Sequence, residues 1–310
     1  MNFKKPNFWD LSRPKLISYL LIPLSFPIII RNFIFQLLKK EKQSIIKTIC
    51  VGNIYLGGTG KTPLTIKLYE ILTKLNFKVA TIKKDYSNQK DEQLLLKKKT
   101  NLITVSSRKL AIQKGLNQCL DYLIFDDGLQ EMRIEYNISF VCFKSKNWIG
   151  NGQLIPAGPM REKISSLKRF DAVFLNGYSN NLDKIENQIY KINSKIKIFR
   201  TLYKISNIDN FNLNLEYLIF SGIGNPSDFR EILLEKKFII KKEIIFPDHH
   251  EYTHNDYRNI LDDARKDNLK ILTTEKDFMK IPEEFKNKIE FISIDINIKN
   301  ENDLIQLLKK

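Results

Sequence analysis

The chain has 310 residues, with 51 Lys and Arg against 35 Asp and Glu, a formal net charge of +16, and only three cysteines. Cys50, Cys119 and Cys142 are odd in number and lack a CxxC spacing, which argues against a disulfide framework or a zinc knuckle and for a reducing compartment. The positive charge would suit anionic lipid or a phosphorylated substrate, but it is largely lysine scattered through an Ile- and Asn-rich composition. Without an arginine-rich helix, aromatic-basic interleaving or finger spacing, nucleic acid is not an expected partner.

The first segment, 1–40, stands apart. Its run LISYLLIPLSFPIII (16–30) carries no charge, and Arg31 then precedes NFIFQLLKK. The uncharged run is short of the roughly 20 residues that a straight helix needs to cross a bilayer. Extending it past Arg31 takes in a charge and leaves Pro23 and Pro27 inside. It therefore reads as a broken or hairpin-like helix lying in a membrane interface, anchored by Lys15, Arg31, Lys39 and Lys40, at least as readily as a span. A helix buried on the domain is the plain alternative. No small-x-small cleavage site follows, so a cleaved signal peptide fits poorly.

From Ile45 onward short apolar runs alternate with longer mixed segments. Strands are expected at 45–53, 78–84, 102–106, 122–127, 138–143 and 172–176, and helices at 61–75, 92–100 and 109–120. This alternation predicts an α/β fold, a mostly parallel sheet flanked by helices. Further on, a helix at 182–193, a strand at 197–205, a strand, glycine loop and helix over 215–235, a helix at 254–267 and a final strand over 289–298 suggest a smaller C-terminal α/β lobe. The expected organisation is 1–40 as a membrane-associated element, 41–180 as a P-loop kinase core, and 181–310 as a lobe contributing to the active-site cleft.

The stretch VGNIYLGGTGKTP (51–63) joins a strand to a helix through a glycine loop. Its glycines tolerate close backbone approach, and the amides with the following helix start can form a concave anion site. The candidate nucleotide residues are Tyr55, Leu56, Gly57, Gly58, Thr59, Gly60, Lys61 and Thr62. Lys61 would reach phosphates, and the Thr62 hydroxyl would face Mg²⁺. The usual pattern has glycine where this chain has Tyr55. A dinucleotide fold would need GxGxxG and an acidic residue closing the next strand, which here ends in Lys83 and Lys84. An ion also needs carboxylates. Asp126 and Asp127 close an apolar strand and would lie at the carboxyl edge of the sheet, one as a Mg²⁺ ligand, although an acidic pair also simply starts a turn with Gly128.

A sugar hydroxyl asks for a base. Asp91 in NQKDEQLLL is a candidate after the second strand, but a helix cap with Glu92 and Gln93 in the first turn is the stronger reading of these residues alone. FPDHHEYT holds His249 and His250 close to His254, a set without recurrent zinc spacing. His249 could orient a carboxylate, or be an ordinary loop histidine. Arg161, after the glycine- and proline-shaped loop 150–159, offers a guanidinium fork to an anionic group, or lies on a plain surface loop.

Seven stretches, VGNIYLGGTGKTP, KDEQLLL (90–96), DDGLQ (126–130), GNGQLIPAGPMRE (150–162), SGIGNPSDF (221–229), FPDHH (246–250) and LTTEKDFMK (272–280), together resemble the tetraacyldisaccharide 4'-kinase family of Gram-negative lipid A biosynthesis. The resemblance runs in the family's order over nearly the whole chain. It implies ATP- and Mg²⁺-dependent phosphorylation of the 4'-hydroxyl of an acylated glucosamine disaccharide 1-phosphate. It also implies attachment to the bacterial inner membrane with the catalytic part on the cytoplasmic face, and no obligate protein partner. By motif, Lys61 and Thr62 bind phosphate and ion, Asp126 or Asp127 supports Mg²⁺, Asp91 is the base, His249 is its partner, and Arg161 and Glu162 face substrate. A P-loop NTPase at the membrane without a sugar-lipid acceptor is the alternative. Three departures stand out: KKDYSNQ replaces the family's serine-arginine-glycine-tyrosine-glycine loop and keeps mainly Tyr86, Lys90 replaces a glycine, and Glu131 replaces a histidine.

Overall fold

The alternating apolar runs become the strands of two separate sheets in a computed structural model that describes residues 5–38, 41–42, 45–85, 90–131 and 134–309. Lys39, Lys40, the retained Tyr86 and the departures at Ser87, Asn88 and Gln89 lie outside the described residues. The chain divides into two units. The larger is drawn from the described residues of Lys5–Asp85, Thr100–Leu202 and Ile296–Lys310, the smaller from those of Tyr86–Lys99 and Tyr203–Asp295.

The larger unit is built on strands β1 (Lys47–Gly52), β2 (Val79–Lys84), β3 (Leu102–Val105), β4 (Tyr122–Asp126), β5 (Ile138–Lys144), β6 (Ala172–Asn176), β7 (Lys197–Ile205) and β12 (Ile294–Ile298). Their order is β12-β7-β6-β5-β1-β4-β2-β3, with every pairing from β7 to β3 parallel. Central strands such as ICVG and YLIFD are buried at every position, as a sheet covered on both faces requires. Helix α3 (Lys61–Lys74) buries Leu64, Leu68, Ile71 and Leu72, a single stripe at helical spacing. The smaller unit holds a second parallel sheet, β9-β8-β10-β11, from β8 (Glu216–Ser221), β9 (Ile239–Ile245), β10 (Lys270–Thr274) and β11 (Glu290–Ile292). Its helices include α4 (Lys90–Lys99), α7 (Pro226–Glu235), α8 (His254–Lys266) and α9 (Glu275–Phe278).

Two features differ from the expected layout. The stretch 289–298 is not one strand: Ser293 separates β11 from β12, its N–H donating to Asn207 Oδ1 at 2.9 Å and its carbonyl accepting from the Ser206 N–H, and the two strands join different sheets. Residues 182–202 also belong with the phosphate-loop unit rather than with a lobe beginning at 181, because β7 pairs along the full length of β6. The C-terminal helix α11 (Glu301–Lys309), absent from the sequence reading, anchors to this unit by burying Leu304 and Leu308.

At the N-terminus α1 (Leu16–Leu21), a 3₁₀ turn (Ile22–Ser25) and α2 (Phe26–Leu37) follow one another. Pro23 and Pro27 fall in the first turns of their segments, where a missing N–H costs nothing. Leu16–Phe35 is long and apolar enough to cross a membrane, with a mean hydropathy of 1.7. Its amphipathicity is inverted relative to a soluble helix. Among its described residues the buried ones are Ser18 and Ser25: Asn151 donates to Ser18 Oγ at 3.1 Å and Ser25 donates to the Leu154 carbonyl at 3.1 Å, while Asn32 donates to the Arg161 carbonyl at 2.9 Å and Ile29 packs, partly buried, on the core. Leu16, Leu20, Leu24, Phe26, Phe33 and Leu37 are exposed. A helix that hides serine and displays leucine matches an apolar surrounding medium.

Candidate active site

The phosphate loop is shaped by its own backbone. Gly57 has φ 135° and Gly60, the residue preceding α3, has φ 87°, conformations that side chains with a Cβ resist. Asn53 donates from its side-chain amide to the Gly57 carbonyl at 3.1 Å, and its own carbonyl accepts from Gln130 at 3.0 Å. Asn176, at the end of β6, donates to the Thr59 carbonyl. The loop is thus held from three strand ends, and the first turn of α3 itself contains no acidic residue. The Tyr55 side chain is buried, and its hydroxyl meets Asp10 and Lys5.

Asp126 closes β4 beside this loop. Its Oδ2 accepts from the Thr62 hydroxyl at 3.1 Å and from Lys83 Nζ at 2.7 Å. Its Oδ1 is buried and has no hydrogen-bond partner among the described residues. Asp127 sits on the turn with φ 60°, and its carboxylate lies 3.4 Å from Arg161 Nη1, which also donates to Gln130 at 3.2 Å. A hydroxyl and carboxylate oxygens suit Mg²⁺, and the orphaned Oδ1 leaves a lone pair for a cation. No group of three His, Cys, Asp or Glu side chains gathers among the described residues, so an ion here would take its remaining ligands from phosphate and water.

The second cluster lies in the smaller unit. Asp91 is buried in the first turn of α4, where its Oδ1 accepts from the Glu92 N–H at 2.8 Å. His249 Nδ1 also lies 2.9 Å and 3.0 Å from the two Asp91 oxygens; an ionised carboxylate only accepts, so Nδ1 carries the hydrogen. The imidazole is aimed by its backbone, which has φ 58° and donates its N–H to the Gly222 carbonyl at 3.1 Å. Lys276 and Lys280 bring their ammonium groups to 3.4 Å and 3.7 Å from Asp91 Oδ2. Burial alone would raise the Asp91 carboxyl, but the His249 hydrogen bond and the charges of Lys276, His249 and Lys280 outweigh it and hold the group well below the usual carboxylate range. Glu92, Asp91 and Asp248 in turn raise Lys276 against the lowering effect of its burial.

A family model described as "Tetraacyldisaccharide-1-P 4'-kinase" matches residues 17–310. A tetraacyldisaccharide 4'-kinase of Pelagibacter ubique is 45% identical over 100% of this chain and 98% of its own length. The chain belongs to the tetraacyldisaccharide-1-P 4'-kinase family. A second member, from Rickettsia conorii, is 33% identical over 97% of this chain and 96% of its own length. The fold agrees as well: the crystal structure of the "apo" form of LpxK from Aquifex aeolicus in complex with ATP superposes with a TM-score of 0.71 at 21% identity, covering 95% of this chain and 99% of that one.

Within this family member, the structure gathers Lys61, Thr62, Asp126, Asp127 and Arg161 in the larger unit, and Asp91 and His249 in the smaller. Glu162 is buried and accepts from Arg169 Nη2 at 2.6 Å. Sequence reasoning overlooked Lys83, Asn53 and Asn176 on the loop side and Lys276 and Lys280 on the Asp91 side. Lys276 lies in α9 and Lys280 just past its end, and no local sequence signal marks either as a partner of Asp91.

Proposed function

We propose that this chain is an ATP-dependent kinase that phosphorylates the 4'-hydroxyl of a tetraacyldisaccharide 1-phosphate in lipid A biosynthesis. Membership of the family over the whole chain, with a 45% identical kinase as relative, is the observation that carries the reading. The product would be the 1,4'-bisphosphorylated precursor. The inverted N-terminal helix supports an acceptor met at a lipid surface, and the inner membrane, approached from its cytoplasmic side where ATP is available, is the surface proposed.

In this reading the amides of Gly57 to Lys61 and the Lys61 ammonium hold the transferred phosphate's charge, the main task in phosphoryl transfer. Thr62 and Asp126 would hold Mg²⁺, which when bound neutralises charge on the phosphates. Asp127 fixes Arg161, keeping a guanidinium near the phosphate-loop turn for an anionic group. Asp91 is assigned the acceptor hydroxyl: fixed in place by His249 Nδ1–H, its carboxylate accepts the hydrogen bond and then the proton as the oxygen gains its bond to the γ-phosphorus of ATP and the bond from that phosphorus to the β,γ-bridging oxygen breaks, releasing ADP. A carboxylate so well stabilised is a weak base, so its contribution rests on aim, with proton transfer following once the new ester oxygen has become acidic. The test is incubation of purified protein with labelled ATP and the acylated disaccharide 1-phosphate in detergent. Label on the distal sugar is expected; release of labelled phosphate without lipid product would favour an NTPase lacking a sugar-lipid acceptor.

A further inference from the structure

Lys83 is the residue of the phosphate-loop unit that the proposed reaction leaves without a task. It lies near the carboxyl end of β2, where the register pairs Ile82 with Phe125 and so sets Lys83 level with Asp126. The two side chains are 2% and 0% exposed and form an ion pair at 2.7 Å. The ammonium shares Asp126 Oδ2 with the Thr62 hydroxyl, while Oδ1 faces inward without a hydrogen-bond partner among the described residues. An ion coordinated by Thr62 and Asp126 would therefore settle within a few ångströms of a buried positive charge that cannot be screened by solvent. Like charges at that range oppose one another, and the carboxylate already has a cation.

We propose that Lys83 is a resident counter-cation of Asp126: it satisfies the buried carboxylate in the nucleotide-free protein and competes with a divalent cation there, so that the metal enters only together with the negative charge of a nucleotide. Lys83 is thus a positioning and selectivity residue that ties metal uptake to nucleotide uptake. The idea rests on the assignment of Asp126 to the metal, and it adds a property of this chain's own: a lysine at the strand end.

The test is titration of the full-length protein with Mn²⁺, reading free Mn²⁺ by electron paramagnetic resonance, with and without ATP. The wild-type chain is expected to bind Mn²⁺ alone weakly and Mn²⁺ with ATP at least a hundredfold more tightly. Lys83→Met should bind Mn²⁺ alone at least tenfold more tightly than wild type. Lys83→Gln, which keeps a hydrogen-bond donor for the buried carboxylate without its charge, guards against loss of folding and should move in the same direction. Mn²⁺ affinity that is unchanged or weaker in the folded Lys83 variants overturns the proposal, as does tight one-site binding of Mn²⁺ alone by the wild type. Asp126→Asn separates the two layers. If it lowers affinity for Mn²⁺ with ATP while the Lys83 variants match wild type, only the role of Lys83 falls; if it leaves that affinity unchanged, the assignment of Asp126 falls and takes the proposal with it.

Discussion

Two buried carboxylates, Asp126 and Asp91, are each backed by lysine, yet they are finished to different degrees. Asp91 is enclosed by His249, Lys276, Lys280 and the Glu92 N–H, so both oxygens are occupied and its charge is fully answered by the protein. Asp126 has one oxygen shared by Thr62 and Lys83 and the other without a hydrogen-bond partner among the described residues. The difference separates a preset group from a receiving one. A carboxylate held by donors on both oxygens is fixed in its aim while keeping lone pairs to accept a substrate proton, whereas one left open on a single oxygen is suited to an incoming cation.

The largest break in this comparison should come from Asp91→Asn, which keeps the shape and removes the acceptor. Transfer should fall about a thousandfold in kcat with ATP affinity unchanged, measured by phosphorylation of the lipid and by ATP titration. Lys61→Ala should fall by about a hundredfold to a thousandfold in kcat/KM and weaken ATP as well, because its charge serves the phosphates. If both variants lost ATP affinity alike, the division of labour between the two carboxylate regions would be wrong.

Lys276→Met sharpens the Asp91 side with a smaller effect, about tenfold on activity. Its diagnostic is pH. The Asp91 carboxyl is depressed in the folded protein, so the stability it contributes is present above the unfolded value, about 3.9, and is lost as pH falls through the lower folded value. Removing a neighbouring cation raises the folded value, so the stability that Asp91 contributes should be smaller and its acid loss should be complete at a higher pH in Lys276→Met than in wild type. Coincident acid limbs would show that Lys276 does not act on Asp91. The smallest effect belongs to the N-terminal helix: Phe33→Ser should reduce vesicle partitioning by roughly tenfold or less, with turnover of a detergent-dispersed acceptor little changed. Unaltered partitioning would place lipid contact elsewhere.

Much of the larger unit was legible because central parallel strands such as ICVG and YLIFD are continuous apolar runs, and because GKT after a strand has few other uses. The broken N-terminal helix was legible from Pro23 and Pro27. The division of 289–298 was not, since Glu290–Ile292 and Ile294–Ile298 look alike by composition and what parts them is the bonding of Ser293 to Asn207 and Ser206, far away in the chain. Lys83 was read as evidence against a ribose-binding acid, and nothing local to β2 reveals that its partner stands on β4. Pairings such as Lys83 with Asp126 and Asp91 with His249 span long stretches of chain, so propensity and periodicity, which are local, are blind to them.

The most direct test of the account is transfer from γ-labelled ATP to a tetraacyldisaccharide 1-phosphate by the wild-type chain and by Asp91→Asn, with the labelled position read from the product. The account predicts label on the 4'-oxygen from the wild type and about a thousandfold less from the variant, with ATP binding equal in both. Equal labelling by the two proteins, or label at any other oxygen, would contradict it.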